Sequence, residues 1–176
     1  LPKSVQDIIH NHQEEANKYE MSALDQIRES IVNAEFYVDG EHIEIKSGDA
    51  KSKIEQALEY LVSHVYSELD LITYNADTDE DVVNILNGSK VGMAGTEPNR
   101  DAAAKIEEYL FIQDRSNLPT SMADVQSKFQ KIPFGWREID IAAAVALLIY
   151  QQKVTIKYGG ATIQPGDAKL PDMLRK

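Results

Sequence analysis

The chain contains no cysteine, which removes disulfide frameworks, thiolate zinc sites, iron–sulfur clusters and cysteine nucleophiles together. Histidine is also scarce: His10, His12, His42 and His64 leave little material for metal or acid/base chemistry. No apolar run reaches the roughly 18 residues needed to span a bilayer. No basic stretch followed by an apolar one marks a secretion signal. The expectation is a cytosolic protein without a membrane partner. What is present is ordinary for a folded protein: 176 residues, 43% hydrophobic and 27% charged, enough for one domain or two small ones. The chain opens on Leu1 and closes on Met173-Leu174-Arg175-Lys176, the pattern expected of a piece of a longer chain.

Positive charge is short in the first half. Residues 1–95 carry 7 Lys and Arg against 19 Asp and Glu, whereas residues 96–176 carry 11 against 10. An acidic first half repels phosphates, so contact with nucleic acid would fall to the second. Between them Asn87 to Pro98, with three glycines and no periodicity, reads as a linker.

The period of the apolar residues sets the elements. Val5, Ile8, Ile9, Ala16, Tyr19, Ala23, Ile27 and Ile31 predict one long amphipathic helix from Lys3 to Asn33. Ala34, Phe36 and Val38 then alternate, Asp39-Gly40 turns, and Ile43 and Ile45 return. This is a hairpin at about 34–46, with Phe36 opposite Ile43 and Ala34 opposite Ile45. A second long helix starts at Ser47-Gly48-Asp49, and its stripe of Ile54, Leu58, Leu61, Val65, Leu69 and Ile72 would pack antiparallel to the first. Acidic Asp77 to Asp81 suit the start of a short helix at Val82 to Leu86.

Asn99 is positioned to cap a helix through Ser116, and Ser121 with Asp124 forms a capping-box pattern for the next. A third helix spans about Arg137–Gln151. Val154, Ile156 and Tyr158 then alternate, Gly159-Gly160 turns, and Ala161 and Ile163 return, so that Tyr158 pairs with Ala161 and Ile156 with Ile163. Three helices and a hairpin follow the order of a winged helix. The predicted fold is therefore α+β and mostly α-helical: an acidic region, 1–95, with a long antiparallel helix pair and a small hairpin, then a winged-helix-like module, 96–176.

Chemical motifs are weak. Asp77, Asp79 and Asp81 imitate a calcium loop, but Val82 stands where Gly is required and Gly88 where the closing Glu belongs. Of His10, His12 and Glu14, only His10 and Glu14 share a helix face. Gly48-Asp49-Ala50-Lys51-Ser52 lacks the glycines of a phosphate loop, and Gly88, Gly92 and Gly95 follow no strand. Ser63-His64 has no nucleophile elbow around it. Glu14-Glu15 and Glu107-Glu108 read as solvated helix faces. No catalytic, cofactor or metal residue is assigned.

Pro133-Phe134-Gly135-Trp136 is the distinctive stretch and holds the sole Trp. Phe134 and Trp136 read as an aromatic anchor for the third helix, with a stacking surface as the alternative. Together with KIEQALEYLVSHVYSELDLI (Lys53 to Ile72), the stretch KIPFGWREIDIAAAVALLIYQQKVTIKYGG (Lys131 to Gly160) resembles the large P-loop ATPase of bacteriophage-exclusion (BREX) systems, BrxC, and its relative PglY. The resemblance implies an accessory fragment outside the ATP-binding core of a cytosolic defence ATPase that acts with other defence proteins on phage DNA. No Walker motif is present to receive nucleotide-binding residues.

Two uses remain open. The third helix, Ile139 to Tyr150, offers no Lys, Arg, Asn or Gln to a base edge, and its apolar character all round predicts burial against its own core and a second surface, favouring protein contact. The alternative is sequence-independent contact with duplex DNA backbone through Lys128, Lys131, Arg137, Lys153 and Lys157.

Overall fold

The computed structural model describes residues 2–92 and 96–176, so part of the expected linker, Gly95 included, lies outside the described residues. Two compact units divide between His64 and Val65.

The first unit holds α1 (Lys3–Val32), β1 (Phe36–Val38), β2 (Glu41–Ile43) and nearly all of α2 (Ala50–Val65). The hairpin has the expected register, Phe36 facing Ile43, and both Asp39 (φ 51°) and Gly40 (φ 83°) adopt the left-handed backbone that a two-residue turn requires. It is shorter than expected, however. The Ala34 carbonyl accepts Lys53 Nζ at 2.8 Å, beside the Val32 carbonyl at 2.6 Å, and this draws Ala34 out of the ladder with Ile45. Lys53 thereby satisfies carbonyls at the end of α1, where helices leave them unpaired. Asp49 caps α2 by accepting the Ser52 amide at 2.9 Å.

The expected packed pair of long helices is not formed. α1 buries none of its residues, and Tyr19, Met21 and Ile27 are 67, 66 and 56% exposed. Its apolar stripe is interrupted by six polar residues, His10 to Glu15, and is too discontinuous to seat a partner helix along its length. α2 also stops at Val65, short of Ile72. Within the second unit the Glu68 amide donates to the Pro133 carbonyl (3.0 Å) and the Glu68 carbonyl accepts the Trp136 indole N–H (2.9 Å), so the backbone leaves the helix and closes into a 3₁₀ turn at Leu69–Leu71.

The second unit contains α3 (Asp79–Leu86), α4 (Arg100–Arg115), α5 (Met122–Phe129), α6 (Glu138–Tyr150), β3 (Lys157–Tyr158), β4 (Ala161–Thr162) and α7 (Leu170–Arg175). The expected boundary at 95/96 falls inside it, because α3 packs on α6 and buries Val82, Ile85 and Leu86 there. Thr78 with Asp81, and Ser121 with Asp124, form reciprocal capping boxes on α3 and α5. The wing has the expected register, Tyr158 opposite Ala161, with the Ile163 amide bonded to the Ile156 carbonyl at 2.9 Å. Val154, Ile156 and Ile163 lean on the core, while Tyr158 at the tip is 68% exposed.

Candidate functional site

In a winged helix the third helix and the wing are the surfaces that meet a ligand, and here the third helix is α6. Ten of its thirteen residues, Asp140 through Ile149, are buried. α3, α4, α5 and α7 all pack on it. The second surface that its apolar character predicted is therefore supplied by the unit itself. α6 exposes only its ends, Glu138 and Tyr150, and presents no continuous face to a partner or a groove.

One charged residue inside this helix sets its position. The Asp140 carboxylate, 2% exposed, accepts the Ala76 amide at 2.9 Å and the Arg137 guanidinium at 2.7 and 3.0 Å. Arg137 also donates to the Ala76 carbonyl at 2.8 Å and lies 3.6 Å from Asp77. Donating to the Asp140 carboxylate holds the Arg137 guanidinium's pKa above its ordinary value. Asn99 plays a matching part at α4. It stands at the N-cap position, but its side chain does not cap; fully buried, it accepts the Thr73 and Tyr74 amides (2.9 and 2.7 Å) and donates to the Tyr74 carbonyl (2.8 Å). A lone Asp in an apolar helix was the one signal of this network visible in the sequence.

Phe134 and Trp136 are buried, and Phe129 stacks on Trp136 with centroids 4.9 Å apart and planes 7° from parallel. Gly135 between them has φ 65° and lies against the Tyr66 ring. The turn is thus enclosed by the module, and its rings offer no face for stacking a base.

The five cations do not form one patch. Arg137 is committed to Asp140 and Asp77, and Lys153 pairs with Glu107 at 2.6 Å. These two flank opposite ends of the thirteen-residue α6, about 20 Å of helix at 1.5 Å per residue. Lys128 Nζ rests 5.7 Å from the centre of the Phe134 ring. Lys131 follows α5, and Lys157 lies on β3; among the described residues neither makes an ion pair. Counted over residues 65–176, the unit carries 12 Lys and Arg against 16 Asp and Glu, a net of −4.

The remaining concavity of note is a groove of about 620 Å³ between the start of α5, the outer edge of β3 and α7, with Met122, Ala123, Thr155, Lys157, Met173 and Lys176 among its walls. The Asp124 carboxylate occupies the α5 N-terminus: its Oδ2 accepts the Ser121 amide and hydroxyl at 2.8 and 2.6 Å, bonds that hold its pKa below the ordinary value.

The weaker motifs resolve into separate contacts. Asp77 faces Arg137, Asp79 bonds Arg175 at 2.9 Å, and Asp81 closes the α3 capping box while accepting the Tyr74 phenol at 2.6 Å. His10 pairs with Glu14, and His12 with Glu15, on an exposed helix. Among the described residues no group of three or more His, Cys, Asp or Glu is placed to hold a metal. No described helix is long and apolar enough to cross a membrane.

Residues 68–176 match the family model described as the BREX ATP-binding protein BrxC winged helix-turn-helix domain, and residues 1–61 match the BrxC fourth domain with six-stranded beta sheet. The described part of that second match contains one two-stranded hairpin. No solved structure matches the chain. With the winged-helix match covering well over half of its length, the chain belongs to the BrxC family of BREX proteins and carries an accessory region composed of that family's winged-helix domain and a portion matching its fourth domain.

Proposed function

We propose that this region is a non-catalytic interaction module of a cytoplasmic BREX ATP-binding protein, and that its winged helix makes protein contacts with the rest of that protein or with other defence components. The enclosure of α6 carries the reading. A helix covered by α3, α4, α5 and α7 cannot enter a major groove without unfolding the unit. Electrostatics points the same way: a net of −4 over the unit opposes the counterion-release term that drives non-specific DNA binding. Two of the five candidate cations also spend their charge on Asp140 and Glu107. No cofactor is needed for such a role.

Duplex DNA is the competing ligand and supplies the test. Labelled duplex and single-stranded DNA are titrated with the chain at about 50 and 200 mM salt, alongside a Lys131→Glu/Lys157→Glu variant. The expected result is no binding up to about 10⁻⁴ M, the weak end of non-specific affinity. Salt-sensitive duplex binding that the variant loses would replace the protein-contact reading with a DNA-backbone one.

A further inference from the structure

We infer that the outer edge of β3 is a strand-addition site for an extended acidic peptide segment of a protein partner; this rests on the protein-contact reading above. The wing register decides which backbone groups are available. The Ile163 amide donates to the Ile156 carbonyl, so Ile156 turns toward β4, and the alternation of an antiparallel ladder turns the N–H and C=O of Thr155 and Lys157 away from it. Neither residue finds another backbone partner among the described residues. An edge with free donors and acceptors is a template for one more strand.

This edge forms one wall of the groove of about 620 Å³. Thr155 to Tyr158 spans about 13 Å at roughly 3.3 Å per residue, room for a short extended segment. The other walls suit such an occupant. Met122, Ala123 and Met173 supply apolar surface, two of them with the adaptable thioethers that accept varied side chains. Lys157 is exposed and makes no ion pair among the described residues, and Lys176 lies in the same groove, paired with Asp172. An unpaired cation beside a free strand edge calls for a carboxylate on the incoming strand. A nucleic acid phosphate fits less well. The α5 N-terminus, the usual phosphate seat, is already filled by the Asp124 carboxylate, and a sugar–phosphate chain carries no N–H and C=O pattern to pair with the strand edge and nothing to set against the apolar walls.

The test uses the intact, isotopically labelled chain and three short peptides: one alternating Glu and Val, its Lys and Val counterpart, and the acidic peptide with alternate amides N-methylated. The acidic peptide is expected to shift the amide resonances of Thr155 and Lys157 and the methyl resonances of Met122 and Met173. N-methylation, which removes the pairing donors, should weaken binding by about tenfold. Lys157→Glu and the Lys peptide should each weaken it by about fivefold, whereas Lys131→Glu, outside the groove, should not. Binding without shifts at Thr155 and Lys157, equal binding of the N-methylated peptide, or no binding of any peptide overturns the strand-addition site. Those outcomes leave the broader protein-contact reading standing, because only the DNA titration can overturn it; duplex DNA that shifts the same resonances and is lost in Lys157→Glu would overturn both.

Discussion

Replacing Asp140 by alanine should unfold the second unit far more readily than any charge change on its surface. The carboxylate accepts one hydrogen bond from the buried Ala76 amide (2.9 Å) and two from Arg137 (2.7 and 3.0 Å). Stranding the Ala76 N–H costs about 1–3 kcal/mol, the usual penalty for a buried donor without an acceptor. Arg137, about half exposed, recovers water when its partner is lost, so its share is only about 0–1 kcal/mol. Alanine improves helix propensity by a few tenths of a kcal/mol, but Asp140 sits in the first turn of α6, where a carboxylate gains a similar amount from the helix dipole. The sum is a loss of about 1–4 kcal/mol, which for a unit of this size lowers Tm by about 4–17 °C. Urea unfolding followed by Trp136 fluorescence measures it, since this sole Trp reports on the second unit. Asp140→Asn keeps an acceptor for the Ala76 amide and should restore about half of the loss. An alanine variant within about 0.5 kcal/mol of the parent, or an asparagine variant no better than alanine, would refute the reasoning.

Gly135→Ala forces a Cβ to within 2.5 Å of Tyr66 Cδ1 at a φ of 65°, and should lower stability by about 2 kcal/mol or more; an unchanged urea midpoint would show that the Tyr66 ring swings away freely. The Tyr74–Asp81 hydrogen bond pushes the phenol up to about 12 and the carboxyl down to about 2. A raised phenol pKa means its stabilisation is complete below about 10, the ordinary value, and is lost as pH climbs from there through 12; the lowered carboxyl contributes above about 3.9 and loses its share as pH falls through 2. Thermal melts from pH 7 to 11 should therefore show the parent's advantage over Tyr74→Phe shrinking above about pH 10, and a constant advantage would refute the assignment.

What was legible in the sequence was local. Asp39-Gly40 and Gly159-Gly160 each dictate a two-residue turn, and a two-residue turn fixes register, so Phe36–Ile43 and Tyr158–Ala161 could be read directly. Ser121 and Asp124 bond each other across one helical turn and need no tertiary context. What was misread was decided by residues distant in the chain. The periodic stripe runs on through Leu69 and Ile72, yet the helix ends because Glu68 meets Pro133 and Trp136, some 65 positions away. Asn99 looks like a cap and instead bonds residues 73 and 74. The glycines from 88 onward suggested a domain boundary, but α3, which precedes them, is bound to α6. The enclosure of α6 escaped for the same reason. An all-apolar helix signals that it is covered everywhere, not which elements cover it.

Three successive alanines, Ala142, Ala143 and Ala144, point in directions about 100° apart around the α6 axis, so every side of the helix is slim at one level. Neighbouring helices can draw near there together, toward the close end of the 8–10 Å range for packed axes. A larger side chain at that level would wedge several neighbours outward at once. In a winged helix that reads DNA, substitutions along the third helix retune the preferred sequence; here the same positions form a spindle that admits almost no variation. Variation that the fold can bear is therefore confined to the rim, the wing and the two short helices beside it, while the axle of the module stays as it is.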